Sequence, residues 1–297
     1  MRRKFLSVVL CVCMMLTMAP FAFAEGEGNE VTPTSAPIGA DTTTLQSQID
    51  SASSGNTIRL DKNYAESITI NNNKAITLDL NGHSLTNTDG QNTITVSLGS
   101  TLTVIDRTAR GSVNNTSNGK ATLYNNGTTA IYAGKWYRSQ EAGTKAGGAN
   151  GNSYYTILNH GDLTINSGSF ENKGTFSSMI ANGYYSYSVP TNGTADEFSN
   201  YIENTGKISP TLTINAGTFT GGVNTIKNDD NGVTTINGGM FTNTAQDCVQ
   251  NHNIATINGG TFKGMASNGA VYNHGCDATY DKGQLTITGG VFEGNTY

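Results

Sequence analysis

One eight-residue phrase is written five times along this chain: LTINSGSF at 163–170, LTINAGTF at 212–219, TTINGGMF at 234–241, ATINGGTF at 255–262 and LTITGGVF at 285–292. Its Phe recurs at 170, 219, 241, 262 and 292, always five residues after an Ile, so successive copies lie 49, 22, 21 and 30 residues apart. A fixed period of about 20 to 50 residues is the mark of stacked units, none of which can bury its apolar face alone. A second element keeps time with the first, an Asn after an apolar pair or triplet: Asn159 in ILNHG, Asn204 in YIENTG, Asn228 in TIKND, Asn251 in CVQNH and Asn273 in AVYNHG.

Each period thus holds two short apolar strands and two turn signals, one at the Asn and one at the Gly pair. In Leu285-Thr286-Ile287 apolar residues alternate with Thr, as a strand with one buried face requires. Gly makes up 36 of 297 residues and charged residues only 13%, about half the usual share, which excludes an ordinary helical protein. Strands this short with no helix between them predict an all-β fold, a right-handed parallel β-helix (β-solenoid) with coils of about 22 residues. Ile should lie over Ile and Phe over Phe, each buried side chain contributing roughly 1.5 to 3 kcal/mol. The turn Asn residues are expected to tolerate left-handed backbone and to hydrogen-bond from coil to coil. The 49-residue gap is either one coil with an insertion or two coils, one of them degenerate.

Residues 1–24 read as a signal peptide: Arg2, Arg3 and Lys4, an apolar run through Met18, then Ala22-Phe23-Ala24 as the cleavage site. Residues 25–43, rich in Glu, Gly, Thr, Pro and Ser, read as a flexible linker, and 44–297 as the β-helix domain. Leu45, Ile49 and Ala52 lie at helical spacing, predicting a short helix that caps the open end of the stack. The chain stops at Tyr297, just after Phe292, without a polar cap, so the domain is expected to be truncated at its carboxyl end. No other stretch is long and apolar enough to span a bilayer once the signal is removed, so the expected localisation is secreted or cell-surface. The mature chain carries 14 basic against 22 acidic side chains, a formal charge of −8, which argues against a nucleic-acid partner. Cys248 and Cys276 occupy different places in the repeat and are expected to be unpaired.

The helix-to-strand stretch 44–64, followed by ITLDLNGHSL (76–85) and LTVID (102–106), resembles the amino-terminal part of pectate-lyase-like right-handed parallel β-helix proteins. The repeat phrases are similar to those of large exported surface proteins of gut bacteria, and the resemblance covers about residues 41–297. It implies two possible chemistries. Lyases of the family hold calcium on acidic residues and take a proton with a basic side chain; polygalacturonase-like hydrolases use several carboxylates with Gly-His-Gly and Arg-x-Lys motifs. Here the mature arginines are Arg59, Arg107, Arg110 and Arg138, none of them in the regular coils, and no Arg-x-Lys follows the signal. Asp229-Asp230 reads as part of a polar turn, KNDDNG, because neighbours on a strand point to opposite faces. His160, His252 and His274 fall at the Asn turn and read as turn residues rather than a zinc site. One outward Thr per coil (164, 213, 235, 256, 286) reads as a solvent-facing β-former, since ice-binding rows usually present two.

No cofactor and no metal centre is implied. The irregular regions 128–157 and 171–203 are the places to look for a ligand, because insertions in solenoids often form the binding face. They carry Trp136, Tyr137, Tyr154, Tyr155, Tyr184, Tyr185 and Tyr187, candidate platforms for sugar rings; the alternative is that these aromatics cover the solenoid flank. The functional expectation is an exported, non-catalytic surface or adhesion module that binds polysaccharide or a host or cell-surface glycan. A polysaccharide lyase or glycoside hydrolase, and a purely structural stalk, are the competing readings.

Overall fold

The computed structural model describes residues 43–87, 89–116, 120–138, 155–173, 177–184, 209–265, 269–273 and 283–296. The chain winds as a right-handed parallel β-helix with three sheets of nine, eight and nine strands. Each coil crosses the first sheet, turns to the second, then to the third, and returns to the first one level further along. A period therefore holds three strands and not the expected two: the residues around the repeated Phe form a strand of their own beyond the glycine turn. The first sheet runs from Thr57–Arg59 to Gln284–Ile287, the second from Ser84–Asn87 to Val291–Glu293, and the third from Ile68–Ile70 to Asn295–Thr296.

Register is in phase with the repeated phrase. On the first sheet Ile131, Ile165, Ile214, Ile236, Ile257 and Ile287 lie directly over one another. On the second, the rings of Phe170, Phe219, Phe241, Phe262 and Phe292 stack with centroids 4.7–5.0 Å apart and planes within 7° of parallel. That spacing is the distance between hydrogen-bonded strands, so the backbone ladder itself sets the rings at stacking separation. The glycine two residues before each Phe (Gly168, Gly217, Gly239, Gly260, Gly290) has a φ between 111° and 131°. A Cβ there would also press on the Phe ring two residues on, at 3.0–3.2 Å, which explains why Gly-x-Phe is the constant part of the phrase.

Inside the third sheet runs an amide ladder. Asn125 Nδ2 donates to Asn159 Oδ1 at 2.7 Å, Asn159 to Asn182 at 2.7 Å, Asn182 to Asn228 at 2.9 Å, Asn228 to Asn251 at 2.8 Å and Asn251 to Asn273 at 2.7 Å. Further amide N–H bonds reach backbone carbonyls of the third-to-first turn, such as Asn228 to Gly232 and Ile254. The ladder asparagines are absent from the described residues with positive φ, which are Asn72, Asn73, Asn81, Ala109 and Asn231 outside glycine. They recur for their amides and not for left-handed backbone. Asn182 takes the rung expected for Asn204, which lies outside the described residues.

The 49-residue gap is a single coil. Asp162–Ile165 pairs directly with Thr211–Ile214, and Thr211 Oγ1 donates to Asp162 Oδ1 across those 49 residues at 2.6 Å. One strand of the second sheet, Ser169–Asn172, and one of the third, Ile180–Asn182, lie between them, so the gap is one coil with an insertion and not two coils.

The amino-terminal end is closed by the expected helix, Leu45–Ser51, with Leu45 and Ile49 buried on the stack. Glu66 accepts from the first-turn N–H groups of Leu45 (2.8 Å) and Gln46 (3.2 Å), and Lys74 Nζ donates to the last-turn carbonyls of Ile49 (3.0 Å) and Asp50 (2.6 Å). The Gln46 amide substitutes for a missing strand: it accepts from Thr69 N at 2.6 Å and donates to Thr69 O at 3.1 Å, covering the open edge of the third sheet.

The interior ladder predicts a contrast. Asn228→Ala leaves the buried Asn251 Oδ1 without its Asn228 donor and the Thr234 hydroxyl without its acceptor, removes one of the bonds of the Asn182 amide, and is expected to cost about 2–3 kcal/mol. Asn237→Ala, which removes an exposed amide bridge from Asn237 Nδ2 to Asn215 Oδ1 (2.8 Å), is expected to cost no more than about 0.5 kcal/mol. Urea midpoints of the two variants make the comparison; equal losses would mean that the interior rung is not dry.

Candidate functional site

The aromatics expected to form a platform divide into three groups. Trp136 is fully buried and continues the Phe column, stacked on Phe170 at 6.2 Å and 14°, with its indole N–H donating to Ala133 O at 3.1 Å. This corrects the expectation of a surface ring, and the reason is legible in retrospect. Residues 131–136, Ile-Tyr-Ala-Gly-Lys-Trp, align with Ile-Asn-Ser-Gly-Ser-Phe at 165–170, so Trp136 is the aromatic of a sixth copy of the phrase. Gly134 has the same positive φ, 98°.

Tyr155 and Tyr184 are also buried, beside the third sheet. Tyr137 does point outward from the second sheet and is half-buried, with Lys135 Nζ 4.9 Å from its ring centroid and the Lys135–Glu171 ion pair (3.4 Å) at its side. Tyr154, Tyr185 and Tyr187 lie outside the described residues.

Tyr184 belongs to a titratable cluster that sequence reading did not assemble. His160 is stacked on the Tyr184 ring at 4.3 Å and meets the Tyr124 ring edge-on at 5.5 Å, with Tyr124 Oη 3.3 Å from His160 Nδ1. The Tyr184 N–H donates to Asp230 O at 3.0 Å, linking the aromatic group to the segment that holds both acids. Asp229 and Asp230 are 3% and 5% exposed, so KNDDNG is a turn but not a solvated one. Asp229 Oδ1 lies 3.0 Å from Lys227 Nζ, and both side chains are almost wholly buried. A buried ion pair of this kind neutralises both partners; neither carboxylate opens onto solvent, where a polysaccharide would have to reach it. His160 and His252 are part of no cluster of three or more His, Cys, Asp or Glu that could hold a metal ion among the described residues, and His274 lies outside them.

Several other buried polar groups among the described residues are held within the scaffold. Arg59 and Arg107 approach the buried Asp79 carboxylate at 3.9 and 3.4 Å. Arg138 is 1% exposed and lies in register with Asn115 in the second sheet. Cys248 is buried, its thiol donating to Phe241 O at 3.6 Å and pushed up to about 12 by burial; Cys276 lies outside the described residues.

Geometry divides the coil into a constant and a variable part. From Ile131 onward the turn from first to second sheet is three residues long in six successive coils. Long connections flank the third sheet instead: 139–156 enters it, and 183–210 and 274–283 leave it. Comparison with protein-family models, curated proteins and solved structures gives no match for this chain. Among the described residues no helix is long and apolar enough to cross a membrane.

Burial holds the His160 imidazole down to about 4 from its usual 6.5, with a backbone hydrogen bond to Gly183 opposing the shift. Between those two values the unfolded chain takes up a proton that the folded chain refuses, so stability present above about pH 6.5 is lost as pH falls toward 4. The loss from this group is expected to reach about 3 kcal/mol. His160→Gln should flatten the dependence of the urea midpoint on pH across that window; an unchanged slope would mean that the imidazole is not buried.

Proposed function

We propose that this protein is an exported, non-catalytic β-helix module of a cell surface, related to pectate-lyase-like β-helix proteins, and that it binds glycans beside its third sheet. The signal-like segment 1–24 supports export. One observation supports the binding face above the others: the insertions carrying Tyr154, Tyr185 and Tyr187 enter and leave the coil on the two edges of the third sheet. Both insertions join the scaffold at strands of the third sheet, and variable loops carried on a rigid scaffold are the usual place for a binding function. Tyrosine suits the task because its ring offers a flat apolar surface to a sugar while its hydroxyl bonds to ring substituents.

The non-catalytic part of the reading rests on the state of the acids. Asp229 is tied to Lys227, and His160 is a buried neutral base enclosed by two tyrosines.

A glycan array probed with the mature protein is expected to show selective binding, reduced at least about tenfold in a Tyr154→Ala/Tyr185→Ala/Tyr187→Ala variant of unchanged melting temperature. Absence of selective binding by the wild type would remove the glycan reading. Product release from polygalacturonate by the wild type, lost in Asp229→Asn, would replace it with the enzymatic one.

A further inference from the structure

On the opposite corner of the coil, where the first sheet turns into the second, a second amide ladder lies on the outside. Asn215 Nδ2 donates to Asn166 Oδ1 at 2.8 Å, Asn237 to Asn215 at 2.8 Å and Asn258 to Asn237 at 2.9 Å, and the Thr288 hydroxyl donates to Asn258 Oδ1 at 2.8 Å. These are the Asn residues of the repeated phrase itself. They donate toward the amino-terminal end of the stack, opposite in sense to the interior ladder. Asn215, Asn237, Asn258 and Thr288 are exposed.

A side-chain amide has two N–H donors and an oxygen with two lone pairs. At Asn215, Asn237 and Asn258 the ladder occupies one donor and one lone pair, so each rung presents one donor and one acceptor outward. The rungs repeat at the strand spacing, about 4.8 Å. Because neighbouring rungs already hold each amide in place, little side-chain freedom remains to be lost when a ligand binds.

Two further features single out this corner. The stretches 164–169, 213–218, 235–240, 256–261 and 286–291 contain no charged residue, although the chain as a whole is acidic. Tyr132 stands at the head of the same column, in the position that Asn166 occupies one coil later, and is 50% exposed. The ladder therefore begins at an open aromatic ring and runs along a smooth edge in which Ser167, Ala216, Gly238, Gly259 and Gly289 follow the rungs.

We infer that this corner is a second carbohydrate-binding surface, which takes a neutral, extended polysaccharide lying along the solenoid axis with one sugar over Tyr132. A polymer that repeats along its own length meets an equivalent donor and acceptor at every coil, and its hydroxyls can answer both. Weak contacts at each rung then add as a multivalent array. The rungs from Asn166 to Thr288 offer no cation to an acidic polymer, Lys135 in the Tyr132 coil is paired with Glu171 at 3.4 Å, and the negative chain would repel such a polymer. This surface uses none of the residues assigned to the third-sheet face and does not depend on that reading.

The test is sedimentation of the mature protein with microcrystalline cellulose, insoluble β-glucan and chitin, with polygalacturonate as the charged control. Tyr132→Ala is expected to weaken retention on a neutral polymer about tenfold. Asn215→Thr/Asn237→Thr keeps a hydroxyl bridge of the kind Thr288 already makes but removes the outward N–H groups; it is expected to melt like the wild type and to lose retention. The Tyr154/Tyr185/Tyr187 triple alanine variant should be retained normally. Failure of the wild type to bind any neutral polymer, tighter binding to polygalacturonate, arrest of ice growth without polysaccharide retention, or loss of retention in the triple variant but not in Tyr132→Ala would each overturn the inference.

Discussion

Parallel hydrogen bonding between strands one coil apart, in phase everywhere but in the last pair of the third sheet, is the constraint on which the rest of this molecule depends. Once a strand lies in phase over its predecessor, every side chain is about 4.8 Å from its counterpart, and only groups that favour their own kind at that distance fit repeatedly. Phenyl rings stack, branched aliphatic chains interlock, and primary amides donate to one another. The Phe, Ile and Asn columns are thus three answers to one geometric condition. Polar groups in the interior are tolerated for the same reason. Thr234 fills an inner position held by Leu212 in the preceding coil, because its hydroxyl donates to Asn228 Oδ1 at 2.7 Å.

The same constraint separates the surface into two kinds of territory. At the first-to-second corner a short turn is held by a glycine of positive φ packed against the aromatic column, which leaves no room for insertion. What that corner presents outward is therefore as periodic as what it buries, and a periodic surface suits a periodic ligand. Along the third sheet the connections can lengthen without disturbing the columns, since the entropy of closing a longer loop rises only slowly. Variation accumulates there: one coil spans 49 residues between paired positions while its neighbour spans 22. A rigid periodic corner and a variable flank on one scaffold let a single chain offer two unlike surfaces.

Much of this was legible from the residues. The spacing of Ile and Phe placed two of the columns, and the Leu45/Ile49 pattern placed the capping helix. Other features were hidden because their spelling had drifted. Trp136 and Tyr132 belong to a copy in which Trp stands for Phe and Tyr for Asn, so the ring read as a surface platform is an interior one and the exposed ring went unremarked. Asn182 and Asn204 both follow apolar residues near the expected distance, and composition offers no means of choosing between them. The pile of Tyr124, His160 and Tyr184 and the Lys227–Asp229 pair draw on four coils, and no spacing rule connects such residues.

By itself the sequence determined that like residues recur at a period short enough to stack, and hence that the chain must wrap as a β-solenoid with an aliphatic, an aromatic and an amide column. Only the tertiary structure decided which residues of an irregular coil join a column and which are expelled from it, and which rings end inside or outside. The physical reason is that periodicity specifies a side chain's height along the stack, whereas inward or outward direction depends on a strand phase that an insertion of any length leaves open until the ladder closes on both sides.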